Sequence, residues 1–178
     1  MDHCAECGFT YAALPRERIA DALRSLATQY SARLLGTGPD ALRRRPGPEV
    51  WSPLEYSAHV RDVLLVQRQR VLRALLHDAP TYEPMRRDER VVEQRDNEAD
   101  PEVVARQVVT SADQLAELLE GLDACEWERI GVYPWPERTV RDVEWIGRHT
   151  VHEQVHHLFD VARSLQAQPG TPSGLGSG

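Results

Sequence analysis

Ser52-Pro53-Leu54-Glu55 is the strongest local instruction in this 178-residue chain. The serine can accept from a free backbone N–H, proline tolerates the first helical position, and the glutamate three residues on completes a capping box. The helix it opens runs to about Leu76. The same period recurs three more times. Arg16 to Leu35 places Ile19, Leu23, Leu26 and Tyr30 on one helical face before Gly36 and Gly38. Asp100-Pro101 opens a third helix through Val104, Val108, Leu115 and Leu118 to Leu122, and Thr139 with Asp142 opens a fourth that lasts to about Gln166. The connections are polar. Residues 40–49 are rich in Arg and Pro, including Arg43-Arg44-Arg45, which reads as a solvated loop. Residues 77–99 allow one helical turn at Glu89–Glu93, and residues 126–138 allow a short strand at Ile130–Tyr133. One strand cannot build a sheet-based fold. Four long helices must bury their faces against one another, so the class is all-α, a four-helix bundle. The expected division is a Cys-containing head (1–14), the bundle (15–166) and a flexible tail (167–178) rich in Gly, Ser and Pro.

Composition narrows the function. The chain has 21 basic side chains, every one an arginine, against 28 acidic ones, for a formal charge of −7. A nucleic-acid binder would show a basic excess, so no nucleic-acid partner is expected. No apolar run approaches the roughly 20 residues that span a bilayer, and no signal-peptide pattern opens the chain. These features, with Cys4-x-x-Cys7 in place of a disulfide framework, suit a cytoplasmic protein with no membrane partner.

The fourth helix carries His149, His152, His156 and His157. At about 100° per residue, Trp145, His149, His152 and His156 share one face. Val151, Val155, Leu158, Ala162 and Leu165 form a separate apolar stripe, the expected core face. His152 and His156 lie one turn apart and can share a cation. Packing gives no reason to cluster imidazoles, and imidazole binds Zn, Ni, Cu or Fe well. A third donor is available in His59 on the second helix. His59, His152 and His156 together would make a three-histidine site with an open position for substrate. Asp62 and Asp160 lie a helical step from His59 and His156 and could orient those rings.

His152-Glu153-Gln154-Val155-His156 also fits the HExxH pattern of zinc proteases. Such enzymes take a further ligand downstream, and after Asp160 this chain has no His, Asp, Glu or Cys. Phe159 stands where the longer protease pattern requires glycine, and the protease reading is set aside.

Trp51-Ser52-Pro53-Leu54-Glu55 leading to His59-Val60-Arg61-Asp62, and later His152-Glu153-x-x-His156-His157, resembles the DinB-like superfamily. That family includes YfiT-like metal-dependent hydrolases and mycothiol-dependent maleylpyruvate isomerases. The resemblance covers residues 15 to 166. It implies a four-helix bundle holding a divalent metal, zinc or nickel, through one residue of the second helix and two of the last, which assigns His59, His152 and His156. It further implies a thiol S-transferase or isomerase that uses a low-molecular-weight thiol such as mycothiol on a small-molecule electrophile. Two alternatives stand beside it: a metal-binding stress or interaction protein without turnover, and a hydrolase activating water with Glu153 as base. A homodimer is compatible with either.

Cys4-Ala5-Glu6-Cys7-Gly8-Phe9 resembles half a zinc knuckle and makes Cys4 and Cys7 a second candidate metal site. Cys125, His3, His77 or His157 could complete it. A redox pair and unliganded thiols remain open readings. Cys125 is expected to be a small buried residue, and Trp51 and Trp135 to pack loops on the bundle or line a pocket mouth.

Overall fold

The computed structural model describes residues 3–167, so the expected tail falls almost entirely outside the described residues. The long helices are α1 (Ile19–Gly36), α3 (Pro53–Leu76), α5 (Pro101–Glu120) and α7 (Val143–Gln166). Short helices α2 (Pro39–Arg43), α4 (Arg87–Glu93) and α6 (Ala124–Trp127) lie in the connections. The capping box at the start of α3 forms as its sequence requires: Glu55 N–H donates to Ser52 Oγ at 3.2 Å, and Glu55 Oε2 accepts from Ser52 N–H at 2.8 Å. The Glu55 carboxylate is buried, and Arg45 meets it with both a 2.8 Å bond and a shorter one. Arg43 donates to Ala99 O at 3.0 Å. Two of the three consecutive arginines therefore anchor the loop.

The helices pack chiefly as α1 on α5, α5 on α3, α3 on α7, and α7 on α1. Chain-consecutive α1 and α3 thus sit diagonally, and so do α5 and α7, which is why long connections separate them. The core between them contains Ile19, Leu23, Leu64, Leu115 and Ile146, all fully buried. Strands β1 (Ile130–Tyr133) and β2 (Thr139–Asp142) form one antiparallel pair, with Gly131 opposite Arg141. The second strand uses residues expected to begin the fourth helix. Asp142, rather than Thr139, caps α7 by accepting from Trp145 N–H at 2.7 Å.

Helix α7 is rotated away from the orientation its apolar residues suggest. Thr150 and Gln154 are fully buried, and His157 and Ser164 nearly so, whereas Val155, Leu158, Ala162 and Leu165 are only partly buried. The buried polar groups find partners. Thr150 donates to Ile146 O at 2.8 Å, Gln154 Nε2 to Leu23 O at 3.3 Å, and Tyr30 to Gln154 O at 2.7 Å. Gln154 Oε1 alone of these is left without a partner. Held mainly by such bonds, polar side chains occupy a helix face that hydrophobicity would assign to solvent. Cys125, expected in the core, is exposed. Among the described residues no helix is long and apolar enough to cross a membrane.

Candidate metal centre

His59 lies about two turns inside α3, where that helix packs on α7. The rotation of α7 presents Glu153 and His157 to it. One ligand atom from each of His59, Glu153 and His157 falls within 4.8 Å of the other two. The His59 and His157 rings meet edge to face with centroids 4.8 Å apart, and His157 Nε2 stands 3.6 Å from Glu153 Oε2. His157 Nδ1 is 2.8 Å from Asp160 Oδ2, and the other Asp160 oxygen accepts from Arg163. Asp160 therefore orients the His157 ring and turns its Nε2 toward Glu153. Trp51 packs on His59 at 5.2 Å and Tyr56 stacks on His157 at 5.6 Å, so aromatic faces wall both imidazoles.

The electrostatics suit a cation. Burial lowers the His59 pKa to about 3, leaving a neutral ring with a free lone pair. Burial alone would raise Glu153, but hydrogen bonds from His152 and His157 override it and hold the carboxylate well below its ordinary range. Burial opposes a charge on His157, but the Asp160 and Glu153 carboxylates outweigh it and raise the ring's pKa, so a metal there displaces a proton from that ring. Two imidazoles and one carboxylate form a donor set that divalent transition metals accept readily.

His152 and His156 point elsewhere. With Cys4 and Cys7 they form a second group of four ligand atoms, all within 4.8 Å of one another. Cys4 Sγ lies 3.7 Å from His156 Nδ1. The backbone N–H of Cys7 and the His152 ring lower the Cys4 thiol to about 6, while burial raises Cys7. The expected grouping of His59 with His152 and His156 is thus divided in two. The reason is angular: Glu153 and His157 follow His152 and His156 by one residue, about 100° around the helix, and the buried ridge of α7 runs through His157. Both pairs have the same four-residue spacing, so His152-Glu153-x-x-His156-His157 contained the signal for either site.

Of the carboxylates expected to orient the rings, Asp160 does so, but chiefly for His157; its Oδ2 stands 3.7 Å from His156 Nε2. Asp62 is taken up by arginines instead, accepting from Arg61 Nε at 2.8 Å and facing Arg90 at 3.7 Å. One group was not foreseen. Tyr11, a buried residue just after the head, places its hydroxyl 2.7 Å from His149 Nδ1 and 3.1 Å from His152 Nδ1. His149 stacks on Trp145 with centroids 4.4 Å apart.

A cavity of ≈ 590 Å³ opens on this centre, lined by His59, His149 and Glu153 together with Arg70, Tyr133 and Trp135. Arg70 is held 4.9 Å above the Tyr133 ring. Trp135, 71% exposed, forms part of the lining, the pocket-mouth role considered from its sequence.

Comparison with known proteins agrees with this architecture. The family model described as the DinB superfamily matches residues 16–159. YfiT from Bacillus subtilis, described as a probable metal-dependent hydrolase with an unusual four-helix bundle topology, superposes with a TM-score of 0.72 at 14% identity, over 83% of this chain and 86% of that one. The mycothiol-dependent maleylpyruvate isomerase superposes with a TM-score of 0.66 at 14% identity, over 88% of this chain and 70% of that one. A comparison with curated proteins found no significant match. The family model spans most of the chain and covers both candidate metal-bearing helices through residue 159: the chain belongs to the DinB superfamily.

Proposed function

We propose that this protein is a metal-dependent enzyme that uses a low-molecular-weight thiol, of the mycothiol type, to transfer or isomerise a small electrophilic substrate. The observation that carries the reading is the convergence of His59, Glu153 and His157 beside a cavity large enough for a small organic molecule. The likeness to a mycothiol-dependent isomerase supports the thiol, and the donor set supports a divalent cation.

His59 and His157 would hold the metal through neutral ring nitrogens and Glu153 through its carboxylate. Bound there, a divalent cation supplies Lewis acidity that lowers the pKa of a coordinated thiol and yields thiolate at neutral pH. The chain's own groups do the rest. Asp160 orients the His157 ring so that its Nε2 turns toward Glu153. Tyr11 has one phenolic proton; donated to His149 Nδ1, it would leave His149 with an Nε2–H at the cavity wall, 3.7 Å from Glu153 Oε1 and within reach of a substrate oxygen beside that carboxylate. Burial holds His149 at about 4, so the ring stays neutral. Arg70, braced by Tyr133 and by its bond to Glu83 O at 2.9 Å, offers a guanidinium to a carboxylate on the electrophile.

The test is a titration of the Co2+-loaded protein with mycothiol, bacillithiol and glutathione, in a Cys4→Ser/Cys7→Ser background. A thiolate-to-metal charge-transfer band that grows with added thiol and vanishes in His59→Ala supports the reading. No thiol-dependent band, with ester or amide hydrolysis instead, would favour the hydrolase alternative.

A further inference from the structure

The head lies outside residues 16–159, where the family model matches, and it is built rather than frayed. Gly8 N–H donates to Cys4 O and Cys4 N–H to Phe9 O, both at 2.8 Å, and His3 pairs with Thr10 as an antiparallel bridge. Gly8 sits at φ +74°, the left-handed conformation that closes this turn and that glycine adopts without strain. The result is a tight knuckle carrying both thiols on the side that faces α7.

Four donors converge there, two sulfurs and two nitrogens. With Zn–S near 2.3 Å and Zn–N near 2.05 Å, tetrahedral geometry separates sulfur from sulfur by about 3.8 Å and sulfur from nitrogen by about 3.5 Å. Cys4 Sγ and His156 Nδ1 are 3.7 Å apart, and all four ligand atoms lie within 4.8 Å. The outer hydrogen bonds also fit. His152 Nδ1 is turned to the Tyr11 hydroxyl at 3.1 Å and to Glu153 Oε1 at 3.5 Å, and since the carboxylate can only accept, Nδ1 carries the ring's proton. His152 Nε2 is then a bare lone pair, buried and without a hydrogen-bond partner, a costly state for a ring nitrogen. His156 directs Nδ1 at Cys4 while its Nε2 faces Glu6 at 3.5 Å and Asp160 at 3.7 Å. Each imidazole therefore presents one nitrogen to the thiols and anchors the other, as metal-bound histidines do.

We propose that Cys4, Cys7, His152 and His156 bind one Zn2+ in a closed tetrahedral site that fastens the head to α7. Binding converts two thiols to thiolates and releases their protons; no redox change is involved. The site is structural, because four protein donors leave no open position, and its thiolates select zinc over magnesium or calcium. Helix α7 then serves two metals from adjacent ridges: His152 and His156 toward the head, Glu153 and His157 toward α3. This site stands independently of the thiol chemistry proposed for the cavity.

Metal stoichiometry and Co2+ spectra of the full chain test it. Wild-type protein should bind two equivalents and show thiolate-to-Co2+ charge transfer without added thiol. Cys4→Ser/Cys7→Ser should lose one equivalent and the band, and His59→Ala/His157→Ala should lose the other equivalent and keep the band. Thiol reactivity covers the case of a variant that fails to fold. In zinc-loaded wild type, Cys4 and Cys7 should be protected until a chelator is added, while exposed Cys125 reacts at once. Absence of the band from wild type, persistence of the band at full intensity in a folded His152→Ala/His156→Ala protein, or equal reactivity of all three thiols with and without zinc would each overturn the proposal.

Discussion

Asp160→Asn isolates the contribution of a carboxylate that touches the metal centre without belonging to it. Asp160 Oδ2 holds His157 Nδ1 at 2.8 Å, and the carboxylate is nearly buried. An asparagine keeps the shape and removes the charge that makes the ring a strong donor. Losing such a partner weakens metal binding by about 10–100-fold. That corresponds to roughly 1.4–2.7 kcal/mol. The assay is a chelator-competition titration with Zn2+ in the Cys4→Ser/Cys7→Ser background, which removes the head site, so that the contact of Asp160 with His156 no longer bears on a second metal. The pH dependence supplies a further signature. Burial opposes a charge on His157, but the Asp160 and Glu153 bonds outweigh it and raise the ring's pKa, so protons compete with metal as pH falls. Asparagine relieves part of that competition, and the gap between wild type and variant should narrow toward acid pH. Equal affinities at pH 8, or a gap that widens on acidification, would refute the role given to Asp160.

Gly131→Ala places a Cβ closer than 3.0 Å to the Tyr82 ring, which must move with the cavity wall it helps form. A loss of about 1–3 kcal/mol in denaturant unfolding is expected. His59 gives metal-free protein an acid sensitivity. Its folded pKa is about 3 while the unfolded ring binds a proton near 6.5, so stability is full above 6.5 and falls as pH drops toward 3. In His59→Gln the slope of urea stability between pH 6 and 4 should be shallower, by up to about 1.4 kcal/mol per pH unit; an unchanged slope contradicts the assignment. Tyr11→Phe strands two imidazole nitrogens that the hydroxyl now serves, and should cost about 1–3 kcal/mol in the same measurement.

The helices were legible because their signals are local. Ser52, Pro53 and Glu55 specify the start of α3 whatever lies around them, and Asp100-Pro101 does the same for α5. The start of the last helix was less so, since Val140 and Arg141 pair with Val132 and Gly131, and that ladder is a tertiary fact. The rotation of α7 mattered most. Its core ridge includes Thr150, Gln154, His157 and Ser164, whose burial depends on Leu23, Tyr30 and other partners far away in sequence. Read by hydrophobicity alone, the core centres on Val151 and Val155, and neither His152 with His156 nor Glu153 with His157, about 100° apart, is singled out to face His59. The Cys-x-x-Cys pair was visible, but its companions in α7 lie about 150 positions away, and spacing could not select them from seven histidines.

The most direct measurement is anomalous diffraction at the zinc edge from crystals of the metal-loaded full chain. We expect a peak enclosed by His59 Nε2 or Nδ1, a Glu153 oxygen and His157 Nε2 at the cavity wall. A cavity-side peak that joins His59 to His152 and His156, or anomalous density confined to the cysteine head, would contradict the assignment of the catalytic metal.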